Sequence, residues 1–359
     1  MRKVTQMPIN KLLRKAVTEK ASDLHLRTDN PPRVRIDGQL YDISGYVPTD
    51  SDLRSFFNQI LSEEQVKEFE STLELDFAHS FPEICRVRVN LFIQRGKFTS
   101  AIRILPDVIP SMEEVNLPKA CYNFVNLNKG LILVTGPSGS GKSTTLAAMI
   151  DFINAHRRCH ILTIEDPIEF VFKDRLATIS QREVGLDTRS FVASLRHALR
   201  QDPDVIMIGE MRDLETMHAA ITLAETGHLT FSTLHTVDAA QTINRIIDSF
   251  PPHQQSQIRA QLSITLEGII SQRLVPLKGK RGRIAAHEVL VCTSGVKNLV
   301  REGKIPQITS AIQTGLEDGM ITMNSTLGKM YKQGIISYEE ALATAFDQKG
   351  FSAKYGPPA

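Results

Sequence analysis

The chain has 359 residues, 42% of them hydrophobic and 23% charged, with a formal net charge of +2. This is the composition of a globular protein long enough for two domains, and its near-neutral balance gives no drive toward nucleic acid. No apolar run approaches the ~20 residues of a bilayer span, and the basic N-terminus lacks the apolar stretch of a signal peptide, so the expected compartment is the cytoplasm. Cys85, Cys121, Cys159 and Cys292 are scattered without a C-x-x-C pair, which argues for reduced packing residues and against structural zinc.

In chain order, Ile9, Leu12, Leu13, Ala16 and Val17 recur at helical spacing and predict an opening amphipathic helix. Residues 33–40 alternate and contain the turn signal Asp37-Gly38. Residues 50–70 read as one helix, with Leu53, Phe56, Phe57, Ile60 and Leu61 on one face. Residues 73–81, 85–92 and 99–105 are strand candidates. Together they predict a mixed α+β domain over residues 1–105. Pro106, Pro110 and Pro118 punctuate a linker placed at 106–117.

From residue 118 onward the pattern changes. Apolar strands are predicted at 131–135, 161–165, 205–210 and 229–234, separated by helical stretches, which argues for an α/β fold with a largely parallel sheet. The remainder reads as helical. Ser337-Tyr338-Glu339-Glu340 is a capping-box pattern, and residues 350–359 are expected to fray.

The first of these strands runs into Gly136-Pro137-Ser138-Gly139-Ser140-Gly141-Lys142-Ser143, followed by Thr144 and a helix-forming stretch. This is a P-loop in its required strand, loop, helix context. Glycines let backbone N–H groups approach phosphates, and the helix offers its N-terminus to anionic oxygens. Lys142 can reach the β- and γ-phosphates of ATP, and the Ser143 hydroxyl can ligate Mg²⁺.

Ligands of such sheets bind at the carboxyl ends of strands. Glu165, Asp166, Glu210 and His235 all fall there. Glu210 ends an apolar strand as a Walker B acid does and is assigned to the Mg²⁺ side. Glu165 is favoured as general base, with Asp166 a further metal or water contact. His235 could sense the γ-phosphate, and His228, before the same strand, is a second candidate near the nucleotide.

These segments resemble the secretion-ATPase superfamily of type II and type IV secretion and type IV pili, residues 161–170 its Asp box and 226–236 its His box. The resemblance runs over residues 10–346. Runs at 21–26, 181–184, 209–216 and 285–290 narrow it to the retraction ATPases of type IV pili. It implies a RecA-like ATPase domain over 118–359, a smaller PAS-like N-terminal domain, and a homo-hexameric ring with nucleotide between the domains. It further implies that Arg86, Arg88 and Arg103 bring positive charge to the phosphates, with Arg86 and Arg88 on one strand face. An inner-membrane pilus platform protein is the implied partner, with a paralogous retraction ATPase as a further candidate. The implied activity is pilus retraction and twitching motility at the inner face of the cytoplasmic membrane. An accessory retraction ATPase, a related secretion ATPase, a small-molecule kinase and a non-hydrolysing ring subunit are the alternatives. The segment 295–302, outside the nucleotide motifs, is expected to be a helix that packs Val296, Leu299 and Val300. Lys297 and Arg301 would then share a face open to water or a partner.

Overall fold

The computed structural model describes residues 9–36, 38–105 and 108–356. The chain divides into two units. One runs up to Val108 and includes Glu169–Val171; the other comprises Ile109–Ile168 and the chain from Phe172 onward.

The first unit holds α1 (Ile9–Thr18), β1 (Asp23–Arg27), β2 (Arg33–Ile36), β3 (Gln39–Asp42), α2 (Asp50–Ile60), α3 (Glu63–Thr72), β4 (Glu74–Phe81), β5 (Cys85–Gln94) and β6 (Lys97–Leu105). Its six strands form an antiparallel sheet in the order β3-β2-β1-β6-β5-β4. Alternate residues such as Leu24, Leu26, Val87, Val89 and Leu91 point to a core shared with α1 to α3. Asp37, half of the expected turn, lies outside the described residues, as does Pro106 of the expected linker.

The single helix expected at 50–70 is two. The chain is extended at Leu61, and Ser62 starts α3 through a capping box with Gln65, as Thr49 starts α2 with Asp52. Each box satisfies two amide donors that a continuous helix would bond internally. Ser62-x-x-Gln65 was therefore the readable break.

The second unit is α/β. Its elements are α4 (Lys119–Val125), β7 (Gly130–Thr135), α5 (Lys142–His156), β8 (His160–Glu165), β9 (Thr178–Glu183), α6 (Phe191–Ala198), β10 (Val205–Ile208), α7 (Leu214–Glu225), β11 (Leu229–Leu234), α8 (Ala239–Asp248), α9 (Pro252–Thr265), β12 (Leu266–Pro276), β13 (Arg283–Val291), α10 (Ser294–Arg301), α11 (Ile308–Thr314), α12 (Met323–Lys332), α13 (Tyr338–Thr344) and α14 (Gln348–Tyr355). The sheet order is β13-β12-β7-β11-β10-β8-β9. All of its pairings are parallel except that of β13 with β12. The central strands are buried on both faces, which is why they read as unbroken apolar runs. Each such Leu, Ile or Val contributes about 1.5–3 kcal/mol by its burial.

Two expectations fail here. The stretch after residue 234 is not wholly helical, because it contains the β12–β13 hairpin, whose Ser271, Gln272, His287 and Glu288 break the apolar pattern of a buried strand. The tail does not fray over residues 350–355. Those residues belong to α14, which Asp347 caps and which buries Phe351 against α12 and α13.

Candidate active site

β7 delivers the chain into the P-loop, and α5 carries it away. Gly136, Gly139 and Gly141 have φ of 146°, 75° and 89°, a region that side chains rarely adopt. At two of them β12 also leaves no room: a Cβ on Gly136 would lie 2.3 Å from the Gln272 carbonyl oxygen, and one on Gly141 2.8 Å from Gln272 Nε2. Gly141 is the N-cap of α5 and offers no capping side chain. The amino end of this helix is therefore shaped for an anion. Lys142 Nζ folds back over the loop, donating to the carbonyls of Gly136 (2.9 Å) and Pro137 (3.1 Å). Pro137, Ser138 and Gly139 are exposed, Ser140 is buried, and Ser143 and Thr144 are half-buried on the first turn of α5.

Glu165 ends β8 and is 7% exposed. Its Oε1 accepts hydrogen bonds from Thr163 Oγ1 (2.7 Å) and Gln181 Nε2 (3.1 Å). Asp166 follows, exposed, and its bond to Pro167 is cis. β10 stops at Ile208, two residues short of the expected end, yet pairing with β11 continues: Thr233 Oγ1 donates to the Gly209 carbonyl (2.6 Å), and Met211 N to that of Thr233 (3.1 Å). This continuation brings Glu210 beside His235, with Glu210 Oε2 and His235 Nε2 3.5 Å apart. Arg212 Nη2 binds the other oxygen of Glu210 at 2.5 Å. The P-loop, Glu165, Asp166, Glu210 and His235 thus follow the carboxyl ends of four strands that run parallel.

His228 does not join them. It precedes β11, and its carbonyl accepts from Gly130 N at the start of β7. A strand of six residues puts ~20 Å between the two edges of the sheet. The expectation that His228 lies near the nucleotide is therefore corrected within one chain: its ring faces Thr226 Oγ1 and the Leu223 carbonyl.

Arg86, Arg88 and Arg103 belong to the first unit. Arg86 and Arg88 lie on the half-exposed face of β5, while Val87 and Val89 are buried. Arg88 sits opposite Arg103, and Arg103 opposite Asp23, in one row across the sheet. Asp23 accepts from Arg103 Nε at 3.1 Å and lies 4.0 Å from Arg35 Nε; Asp76 is 3.9 Å from Arg88 Nε. Burial, and then the Arg86 guanidinium, hold the His79 imidazole below its usual pKa.

Residues 111–343 match the family model described as type II/IV secretion system protein. The chain belongs to that family. Within it, the chain is 45% identical over 335 residues to the type IV pilus retraction ATPase PilT of Pseudomonas aeruginosa, covering 93% of this chain and 97% of that one. It is 39% identical to the type IV pilus ATPase PilU of the same organism, covering 94% and 89%. A crystal structure of the pilus retraction motor PilT with bound ADP superposes with a TM-score of 0.88 at 46% identity, covering 95% of this chain and 98% of that one. The α/β fold with a P-loop, expected from the sequence, is the fold of this family member.

The sequence reading missed the support that β12 gives the loop. Gln272, 2% exposed, donates from Nε2 to the Ser140 carbonyl (2.7 Å) and accepts at Oε1 from Thr145 Oγ1 (2.7 Å). Beside it, Thr135 Oγ1 donates to Ser271 Oγ (3.0 Å). The available signal was a polar pair, Ser271-Gln272, directly after the apolar Ile269-Ile270.

Proposed function

We propose that this chain hydrolyses ATP to drive type IV pilus retraction and twitching motility. The observation that carries the reading is the convergence of a P-loop, a buried carboxylate and an acid–histidine pair at one sheet edge. The likeness to pilus retraction ATPases supports the cellular role.

The phosphates of ATP rest on the loop from Gly136 to Ser143 and on the first turn of α5 with Thr144, where Lys142 neutralises the β- and γ-oxygens. The oxygens of Ser143, Glu210 and Asp166, directly or through water, suit a hard divalent cation and would hold Mg²⁺. Bound there, the ion supplies charge neutralisation for the phosphates. Glu165 takes a proton from water as the water oxygen bonds to the γ-phosphorus. The bond to the bridging oxygen breaks, and its electron pair leaves with ADP. His235 holds Glu210 and is placed to answer to the γ-phosphate.

In this reading the chain has a PAS-like domain at 1–105, a linker at 106–117 and a RecA-like ATPase domain at 118–359. It works as a homo-hexamer at the inner face of the cytoplasmic membrane, against an inner-membrane pilus platform protein. Arg86, Arg88 and Arg103 stabilise the charge that develops on the transferring phosphoryl group. A paralogous retraction ATPase is a further partner, which the likeness to PilU supports.

The test is a deletion strain carrying either the parent chain or Lys142→Ala. The parent should restore retraction and twitching, and the variant should restore neither. Normal retraction in the deletion strain would overturn the motor reading.

A further inference from the structure

Gln181 opposes Thr163 in the parallel register of β8 and β9, so its side chain shares a sheet face with Thr163 and Glu165. Its amide engages both Glu165 and Phe172. Nε2 donates to Glu165 Oε1 at 3.1 Å, and Oε1 accepts from Phe172 N at 2.8 Å. Phe172 lies within the segment between Glu165 and β9. Its backbone N–H therefore fixes which way the amide points, and the amide donates to the carboxylate. Thr163 Oγ1 donates to the same carboxylate oxygen. These donors hold the carboxylate's rotation.

We propose that Gln181 is a positioning residue for the hydrolytic step: through its hydrogen bond to Glu165 it aims the carboxylate that takes the proton from water. This rests on the reading of Glu165 as general base. Gln181 does not itself touch the nucleotide. The acids around Glu165 are Asp166 next in the chain, Glu183 opposite it on β9, and Glu210 after Gly209; a Cβ on Gly209 would lie 3.4 Å from Glu165 Cα.

The test uses full-length protein and measures ATP turnover together with nucleotide affinity. Gln181→Ala removes the donor. Gln181→Glu keeps the acceptor for Phe172 N and the side-chain size but replaces the donor by a like charge, so it serves where the alanine variant folds poorly. Both variants should keep ATP affinity within about twofold. Both should lose roughly ten- to hundredfold in kcat, part of the ~10²–10⁴ that a positioned base supplies. Parent-like kcat would overturn the proposal, as would affinity falling in step with kcat. Glu165→Gln separates the two readings. If it turns over near the parent rate, the base assignment itself fails; if it is inactive while both Gln181 variants behave as the parent, only the present proposal fails.

Discussion

His235 Nε2 lies 3.5 Å from Glu210 Oε2, while Arg212 Nη2 occupies the other oxygen of the same carboxylate at 2.5 Å. Two neighbouring parallel strands, each continued past its last ladder residue, create this meeting. The carboxylate is 13% exposed and the imidazole 51%, so the acid is sheltered and the histidine remains reachable by substrate. Glu210→Gln should leave nucleotide affinity within a few-fold and reduce turnover by roughly 10²-fold, the signature of an interaction made chiefly in the transition state. His235→Ala should cost less, and the double variant should cost little more than Glu210→Gln, because the two act as a unit. Steady-state turnover beside equilibrium nucleotide binding decides it; additive losses would show two independent roles.

The P-loop's first glycine is held by β12 as much as by its own dihedral. Gly136→Ala would need φ near 146° and would set a Cβ 2.3 Å from a backbone oxygen that cannot swing away. The expected cost is about 3 kcal/mol or more, from strain and overpacking together, read as a fall in thermal midpoint. Gly139→Ala meets nothing within 4 Å, so only its φ of 75° counts and the cost should be about 1 kcal/mol. Equal losses at the two sites would refute the role given to β12.

Much of this was legible beforehand for a physical reason. A buried parallel strand needs a continuous apolar run, and a phosphate loop needs glycines before Lys142, so β7, β8, β10 and β11 announced themselves. β9 did not, since Thr178, Ser180, Gln181 and Arg182 make it polar and it lies at the sheet edge. β12 and β13 were hidden because Gln272, His287 and Glu288 are buried polar groups, Gln272 and Glu288 being bonded to partners far off in sequence. His228 was misplaced because proximity along the chain to His235 says nothing about which end of a strand each occupies. The arginine row was visible in part. Period-two spacing paired Arg86 with Arg88, but only the antiparallel register puts Arg103 between Arg88 and Asp23.

Neighbouring residues of β13 titrate in opposite senses. Burial raises the Glu288 carboxyl from 4.5 to about 7, and burial lowers the His287 imidazole from 6.5 to about 4. Glu288 Oε1 accepts from Ala239 N, the first amide of α8. The folded chain holds the Glu288 proton more tightly than the unfolded chain, so this group's contribution to stability is lost as pH rises from 4.5 to about 7. His287 works the other way: the unfolded chain takes its proton more readily, so stability is lost as pH falls from 6.5 to about 4. Between 4.5 and 6.5 the two oppose each other. Glu288→Gln removes one arm only. The variant's thermal midpoint, relative to the parent, should therefore rise between pH 5 and pH 8, by the equivalent of about 3 kcal/mol at most. A pH-independent offset would show that Glu288 ionises at its ordinary pKa.

The helix expected at 295–302 is α10, with Thr293 as its cap and Val296 and Val300 buried in the core. Its two basic residues do not share one free face. Lys297 Nζ binds Glu267 Oε1 at 2.7 Å, both side chains being less than a third exposed, whereas Arg301 is exposed and bonds Asn298. Glu267 also packs where a Cβ on Gly130 would be, 2.4 Å from its Cγ, so this pair stands at the entry to β7. A charge reversal at Lys297 therefore acts on folding first. Lys297→Glu should cost on the order of 1–2 kcal/mol through the lost pair and the new repulsion. Glu267→Lys in the same chain should recover much of that loss, because it restores an opposite-charge pair with its ends exchanged. Arg301→Glu alone leaves the Lys297–Glu267 bond and every nucleotide motif intact. It should keep thermal stability within about 0.5 kcal/mol and ATP turnover near the parent value, yet reduce twitching if α10 meets the platform protein. Thermal melts, turnover and motility on these three variants test both halves: a stable Lys297→Glu protein would remove the ion pair's role, and normal motility in Arg301→Glu would leave that helix face merely solvated.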